Sequence, residues 1–230
     1  MNDAAQLGNG AASNSSSQMS TGTTTGRHRL IRVVLADDQR MVREALAALL
    51  NLEEDIEIVA QLEDGSAVVP TVADTGADIA LLDIEMPHVD GIAAAQALQE
   101  AGGDCGVVIV TTFGRAGYLQ RAMAAGARGF VVKDAPAEEL AAALRTVAGG
   151  GYAIDPQLAA QALQMGPNPL TEREGDVLRL ALSGATVKSM AAQLYLSQGT
   201  VRNHLSAAIG KTGARTRTEA AQLARARGWI

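Results

Sequence analysis

The chain has 230 residues, 47 % of them hydrophobic, a formal net charge of −6 and a single cysteine, Cys105. One thiol excludes an internal disulfide, three scattered histidines leave no obvious zinc site, and no apolar run approaches the roughly 18 residues of a membrane span. No basic segment followed by an apolar one opens the chain, so no secretory signal is expected and a cytoplasmic location is. The charge is uneven. Residues 166–230 hold nine Lys/Arg against four Asp/Glu, whereas the rest holds ten against twenty-one. An acidic body with a basic C-terminal part implies that only the latter meets a polyanion, unless the asymmetry is chance variation of a solvated surface.

Residues 1–28 form an N-terminal extension rich in Ser, Thr, Gly, Asn and Ala, without periodic apolar positions. Such a segment buries too little apolar area to offset its ordering entropy and is expected to be disordered. Order begins at Arg29. Ile31 to Leu35 read as a strand ending in Asp37-Asp38, followed by a helix with Val42, Ala45, Leu46, Leu49 and Leu50 on one stripe. Ile56 to Leu62 are the second strand, and Asp64-Gly65-Ser66 turn into a helix reaching about Thr75. The third strand, Ile79–Asp83, is an apolar run ending in an aspartate, with Pro87 and Asp90-Gly91 beyond it. A helix from about Ile92 to Glu100 leads to Val107–Thr111, and one around Tyr118–Ala125 leads to Gly129–Val132. Pro136 opens the last helix, which runs to Gly149. This alternation predicts an α/β fold, a (βα)5 doubly wound parallel sheet over residues 29–149. Residues 150–168 contain Gly150, Gly151, Pro156, Gly166 and Pro167 and read as a linker, within which Pro156–Met165 could form a short helix.

Residues 169–230 read as a small all-α domain. Thr171 precedes a helix carrying Val177, Leu178, Ala181 and Leu182, and Lys188–Leu194 form a short second helix. Ser197-Gln198-Gly199-Thr200 cap a third, with Val201, Leu205, Ala208 and Ile209 at helical spacing, and Thr216–Arg227 form a fourth. Two short helices joined by a brief turn in a basic domain give a helix-turn-helix pattern. Ala220, Ala221, Leu223 and Ala224 on the last helix are a candidate dimer contact, although Ala-rich helices are more often plain core.

In a doubly wound order the first and third strands are neighbours, so Asp37, Asp38 and Asp83 converge at one sheet edge. Unpaired carboxylates would raise one another's pKa, which a hard divalent cation such as Mg²⁺ resolves. Aspartate also serves as a nucleophile toward phosphorus. Thr111 and Lys133, at the ends of the fourth and fifth strands, supply a hydroxyl and an ammonium for phosphoryl oxygens. Taken singly, each residue has an ordinary structural role: Asp37-Asp38 as helix caps, Thr111 as a β-former, Lys133 as a solvated charge. Together at successive strand ends they are harder to dismiss.

This set resembles the CheY-like receiver, the phosphoacceptor module of bacterial response regulators. The resemblance implies that Asp83 accepts a phosphoryl group from a sensor histidine kinase. It also implies that Asp38 binds Mg²⁺ directly, Asp37 acts mainly through water, and the Glu85 backbone carbonyl is a further ligand. Thr111 would be the switch hydroxyl, Lys133 the phosphate-pairing lysine and Phe130 the switch aromatic. The family often has Pro directly after the lysine; here Asp134-Ala135 intervene before Pro136.

Leu170-Thr171-Glu172-Arg173-Glu174 and Leu196-Ser197-Gln198-Gly199-Thr200-Val201-Arg202-Asn203-His204 are similar to the LuxR-type helix-turn-helix domain. Both parts together resemble the NarL/FixJ class. Thr111-Thr112-Phe113, Gly117-Tyr118 and Ala208-Ile209-Gly210-Lys211 point to its DesR-like branch. Arg202, Asn203 and Ser206 lie off the apolar stripe, where Arg suits guanine and Asn adenine in a major groove. Lys188 and Thr200 suit phosphate contacts. Val187-Lys188-Ser189-Met190-Ala191 replaces the family's usual Asn-Lys-Glu-Ile-Ala, which predicts weaker local capping. The reading is a transcription regulator, not an enzyme, whose phosphorylation at Asp83 favours a homodimer on promoter DNA, with RNA polymerase as a further partner and no membrane. The alternative is a receiver controlled by protein or ligand contacts without phosphorylation. An aspartyl-phosphate phosphatase would need a second acid-base aspartate where Glu85 stands.

Overall fold

Uninterrupted Val, Ile and Leu runs build the inner strands of one parallel sheet in the computed structural model, which describes residues 29–230. The extension expected to be disordered, 1–28, lies outside the described residues. The strands are β1 (Ile31–Ala36), β2 (Ile56–Leu62), β3 (Ile79–Asp83), β4 (Gly106–Thr111), β5 (Gly129–Val132) and β6 (Ala153–Ile154). They run in the order β2-β1-β3-β4-β5-β6, and every pairing is parallel. Every residue of β3 and β4 is buried, as a strand covered on both faces requires.

Alternate residues feed two cores. Val33, Leu35, Ile79, Leu81, Val108 and Val110 face α1 (Arg40–Leu50) and α5 (Ala137–Ala148). Ala36, Ala80, Leu82 and Ile109 face α2 (Val68–Thr75), α3 (Gly91–Ala101) and α4 (Ala116–Ala124). The inward row of α1 differs from the stripe expected of it. Arg43, Ala47 and Leu50 are buried, while Ala45 and Leu49 face out. The row turns because the Arg43 guanidinium goes inward to a backbone carbonyl, which hydropathy does not register.

The segment 150–168 is more than a connector. Gly150, at φ +83°, lets the chain reverse after α5, and β6 then adds a sixth strand beside β5 where five were expected. Its two residues are too few to carry a period of two. α6 (Pro156–Met165) follows, capped by Asp155 Oδ1 accepting from the Leu158 N–H at 2.8 Å. Leu158 and Ala162 join the α3–α4 core, so the linker packs on the sheet domain.

Four helices complete the chain: α7 (Glu172–Leu182), α8 (Val187–Gln193), α9 (Gln198–Thr212) and α10 (Arg217–Ala226). Each has a hydroxyl cap. Thr171, Thr186, Ser197 and Thr216 accept from the backbone N–H of Glu174, Ser189, Thr200 and Glu219. α8 is therefore fully capped rather than weakly so, because Thr186 does the work one residue before the altered stretch. Val177, Leu178, Met190, Val201 and Ala208 form the core with Ala220, Ala221 and Ala224. Those three alanines are spent on packing within the domain, and of the residues offered as a dimer contact only Leu223 is partly exposed.

The corner after β3 depends on Gly91. A β-carbon there would overlap the Asp83 carbonyl oxygen, and the helix it starts is capped by Asp90 Oδ1 at 2.7 Å from the Ala93 nitrogen. Gly91→Ala is expected to lower stability by about 1–3 kcal/mol through this overpacking, measured by urea unfolding followed by circular dichroism. An unchanged midpoint would show that the corner is not under steric constraint.

Candidate functional site

β1 and β3 are hydrogen-bonded neighbours, in register at Ala36 and Leu82. The next residue of each is an aspartate, so Asp37 and Asp83 end side by side at the carboxyl edge of the sheet. Together with Asp38 they bring carboxylate oxygens within 4.8 Å of one another. Asp37 and Asp83 are buried, whereas Asp38 is exposed. Asp37 Oδ1 also accepts from the Gln39 N–H at 2.9 Å, which fixes the turn into α1.

Lys133 follows β5, and its backbone N–H donates to the Thr111 carbonyl at 2.7 Å. This anchors the stem, and the side chain crosses the end of β4 toward the acids. Nζ lies 2.7 Å from Asp37 Oδ2 and 3.2 Å from Asp83 Oδ2. Burial pushes the Asp83 carboxyl up to about 6; the Lys133 ammonium pulls it down and the Asp37 charge raises it again. One ammonium beside three carboxylates leaves excess negative charge around hard oxygen donors, and this donor set fits Mg²⁺. Thr111 is buried at the end of β4, with Oγ1 accepting from the Phe113 N–H at 3.3 Å. Glu85, two residues past Asp83, has an exposed side chain whose Oε1 accepts from the Tyr118 hydroxyl at 3.2 Å.

The structure thus brings Asp37, Asp38, Asp83 and Lys133 together, with Thr111 on the intervening strand. Phe130 sits apart from them, buried in the core that also holds Leu158 of α6. One residue at the site was missed from sequence. The buried Arg43 donates through Nη1 to the Asp37 carbonyl, and its Nη2 lies 3.4 Å from Glu63 Oε1. The available signal was an arginine in helical phase with Ala47 and Leu50.

At the other end of the chain, Arg202, Asn203 and Ser206 project from the exposed face of α9, opposite the buried Val201, Leu205 and Ala208. Lys188 is exposed at the start of α8. Thr200 is half-buried, its hydroxyl 2.8 Å from Ser197 Oγ, so part of its bonding capacity goes to the cap. Lys211 serves structure, with Nζ 2.7 Å from the Oε2 of buried Glu174.

Family models match both halves. The response regulator receiver domain covers residues 33–145, and the bacterial regulatory proteins of the luxR family cover residues 168–224. The chain belongs to the LuxR-type two-component response regulators. It is 43 % identical over 201 residues to the uncharacterized transcriptional regulatory protein YvfU of Bacillus subtilis, across 87 % of this chain and all of that protein. The transcriptional regulatory protein DesR of the same organism is 41 % identical over the same shares of both chains. The crystal structure of response regulator ChrA, from a heme-sensing two-component system, aligns with TM-score 0.52 and 35 % identity, covering 87 % of this chain and 99 % of that one. Receiver and DNA-binding domain therefore stand in one regulator, and among the described residues no helix is long and apolar enough to cross a membrane.

The raised Asp83 pKa has a consequence for this response regulator's stability. The folded state holds the Asp83 proton more tightly than the unfolded chain, so stability falls as pH rises from about 4, the unfolded value, through about 6. Asp83→Asn removes that ionisation. With a chelator present, the stability of the variant relative to the parent should grow over this window and level off above it, as followed by denaturant unfolding at each pH. A difference that stays constant with pH would mean that Asp83 titrates normally in the folded state.

Proposed function

We propose that Asp83 is the phosphoacceptor of this response regulator and that a sensor histidine kinase is the donor. The observation that carries this is the burial of Asp83 beside Asp37, within ion-pair distance of Lys133. An Asp83 carboxylate oxygen attacks the phosphorus of a phosphohistidine; the O–P bond forms, the P–N bond breaks, and the departing imidazole nitrogen takes up a proton. Asp38, Asp83 and the Glu85 backbone carbonyl are the residues to hold Mg²⁺, with Asp37 assisting through water. When bound, the ion supplies positive charge to the phosphoryl oxygens. Lys133 pairs with the same oxygens, and the Thr111 hydroxyl donates to them.

Drawing Thr111 toward the phosphoryl group lets Phe130 follow, and Phe130 shares its core with α6. Residues 29–149 act as the switch, 150–168 as the coupling segment and 169–230 as the reader. Phosphorylation favours a homodimer whose two reading helices engage half-sites in promoter DNA in the cytoplasm, where RNA polymerase is the downstream partner. Arg202, Asn203 and Ser206 read bases, while Lys188 and Thr200 hold phosphates. The protein works as a transcription regulator rather than an enzyme.

Incubation with a small phosphodonor and Mg²⁺ is expected to add one phosphoryl group by intact-mass measurement. The adduct should be absent in Asp83→Asn and after chelation; an undiminished adduct in Asp83→Asn would rule this acceptor out. On DNA, Arg202→Ala should cost about 1–3 kcal/mol on a sequence selected from a random library, and relax discrimination at one base position. Lys188→Ala should weaken all sequences alike and reduce the salt slope by about one unit. Titration of selected and scrambled duplexes at several salt concentrations separates the two effects. Equal losses on both duplexes for Arg202→Ala would make that residue a phosphate contact.

A further inference from the structure

Gly117 has no part in the phosphoacceptor pocket, and Tyr118 touches it only through its hydroxyl on the Glu85 side chain. They lie in the first turn of α4, and the C-terminal turn of the DNA-reading domain rests on them. A β-carbon on Gly117 would overlap the carbonyl oxygen of Arg227 and come 3.0 Å from the carbonyl carbon of Gly228. From the other side, Gly228 adopts φ +70°, and a β-carbon on it would lie 2.6 Å from the Tyr118 nitrogen and 3.0 Å from Tyr118 Cδ1. Two backbones therefore touch where no side chain fits between them.

Polar contacts frame the crossing. The carbonyls of a helix's last turn carry partial negative charge, and that of Arg225 also accepts from the Gly228 N–H at 3.0 Å. Arg115, the residue just before α4, donates from Nη1 to the Arg225 carbonyl at the end of α10, at 3.1 Å. Its guanidinium is held over the rings of Phe113 and Tyr118, at 4.5 and 5.3 Å. Tyr118 is itself fixed, since its hydroxyl donates to Glu85. Asn168 Nδ2 donates to the Trp229 carbonyl at 3.3 Å, tying the end of the linker to the same turn. Arg202, Asn203 and Ser206 remain exposed in this arrangement.

We propose that Gly117 and Gly228 form a clasp by which the receiver holds the DNA-reading domain through its C-terminal turn, setting the orientation of that domain while leaving its reading face open. The occupant of the α4 surface is thus a segment of the same chain. Glycine is required at 117 by the close approach and at 228 by both the approach and the left-handed turn that ends α10. The part of the proposal that concerns DNA rests on α9 being the reading helix; the docking itself does not.

Gly117→Ala is the decisive variant, because alanine raises the helix propensity of α4 while obstructing the contact. In the full chain, X-ray scattering should show a larger radius of gyration than the parent, and amide exchange should quicken in the peptides covering 115–119 and 225–230. Arg115→Ala should shift both readouts in the same direction by a smaller amount. Affinity for a random-sequence duplex of about one helical turn, roughly 10 base pairs, should stay within about threefold of the parent. Unchanged scattering and exchange in Gly117→Ala would overturn the clasp. A gain in duplex affinity of about tenfold or more would show instead that docking hides the reading face. A parent chain that binds no duplex even after treatment with a small phosphodonor and Mg²⁺ would defeat the reading-helix assignment, with scattering and exchange still deciding the clasp.

Discussion

Asp37 and Asp83 are both withdrawn from water at the carboxyl edge of the sheet, and like charges so placed are tolerable only because Lys133 reaches between them. Much of the receiver serves that arrangement. The parallel register of β1 and β3 puts the two aspartates side by side, and the Lys133 N–H on the Thr111 carbonyl anchors the lysine. Gly91 lets α3 begin against the Asp83 carbonyl, while Arg43 secures the Asp37 carbonyl from below. Asp83 bears the remaining cost, and its raised pKa expresses it. A pocket with uncompensated negative charge is also one primed for a cation and for chemistry that changes that charge.

The basic domain spends its charges differently. Lys211 pairs with the buried Glu174, whose carboxylate also accepts from the Thr171 N–H in a capping box, so this lysine locks α9 to the start of α7. Arg202 and Lys188 are exposed. A net positive charge therefore overstates the surface free to meet DNA. Hydroxyl caps on all four helices give this small domain sharply defined ends, and Arg202 and Asn203, the residues proposed to read bases, lie within the first two turns of α9.

Most elements of the receiver could be read directly from the chain, because β3 and β4 are almost wholly apolar runs and α3 and α5 begin at Asp90 and Pro136. Strand-end aspartates one position past apolar runs made the acidic cluster legible, since a parallel order leaves few other places for them. Arg43 was not legible as an inward residue: hydropathy places arginine at the surface, and only the Asp37 carbonyl beneath it explains its burial. The cap of α8 lies one residue before the altered stretch, where the Thr186 hydroxyl makes up for what those substitutions remove. Ala220, Ala221 and Ala224 were ambiguous for a sound reason, since a small apolar side chain suits a domain core and a subunit contact equally.

Local chemistry by itself determined the alternation of strands and helices, the helix caps and the identity of the acidic and basic groups. These depend on periodicity and on neighbours within a few residues. Tertiary structure alone decided which charges meet, because Lys133 is fifty residues beyond Asp83 in the chain and reaches it only across β4. It also decided that the two-residue β6 joins the sheet and that α6 packs against α4. The contact between Gly117 and Gly228 is the plainest case. A glycine's lack of a side chain leaves no pattern in sequence, and its purpose appears only when a second backbone, from the other end of the chain, occupies the space.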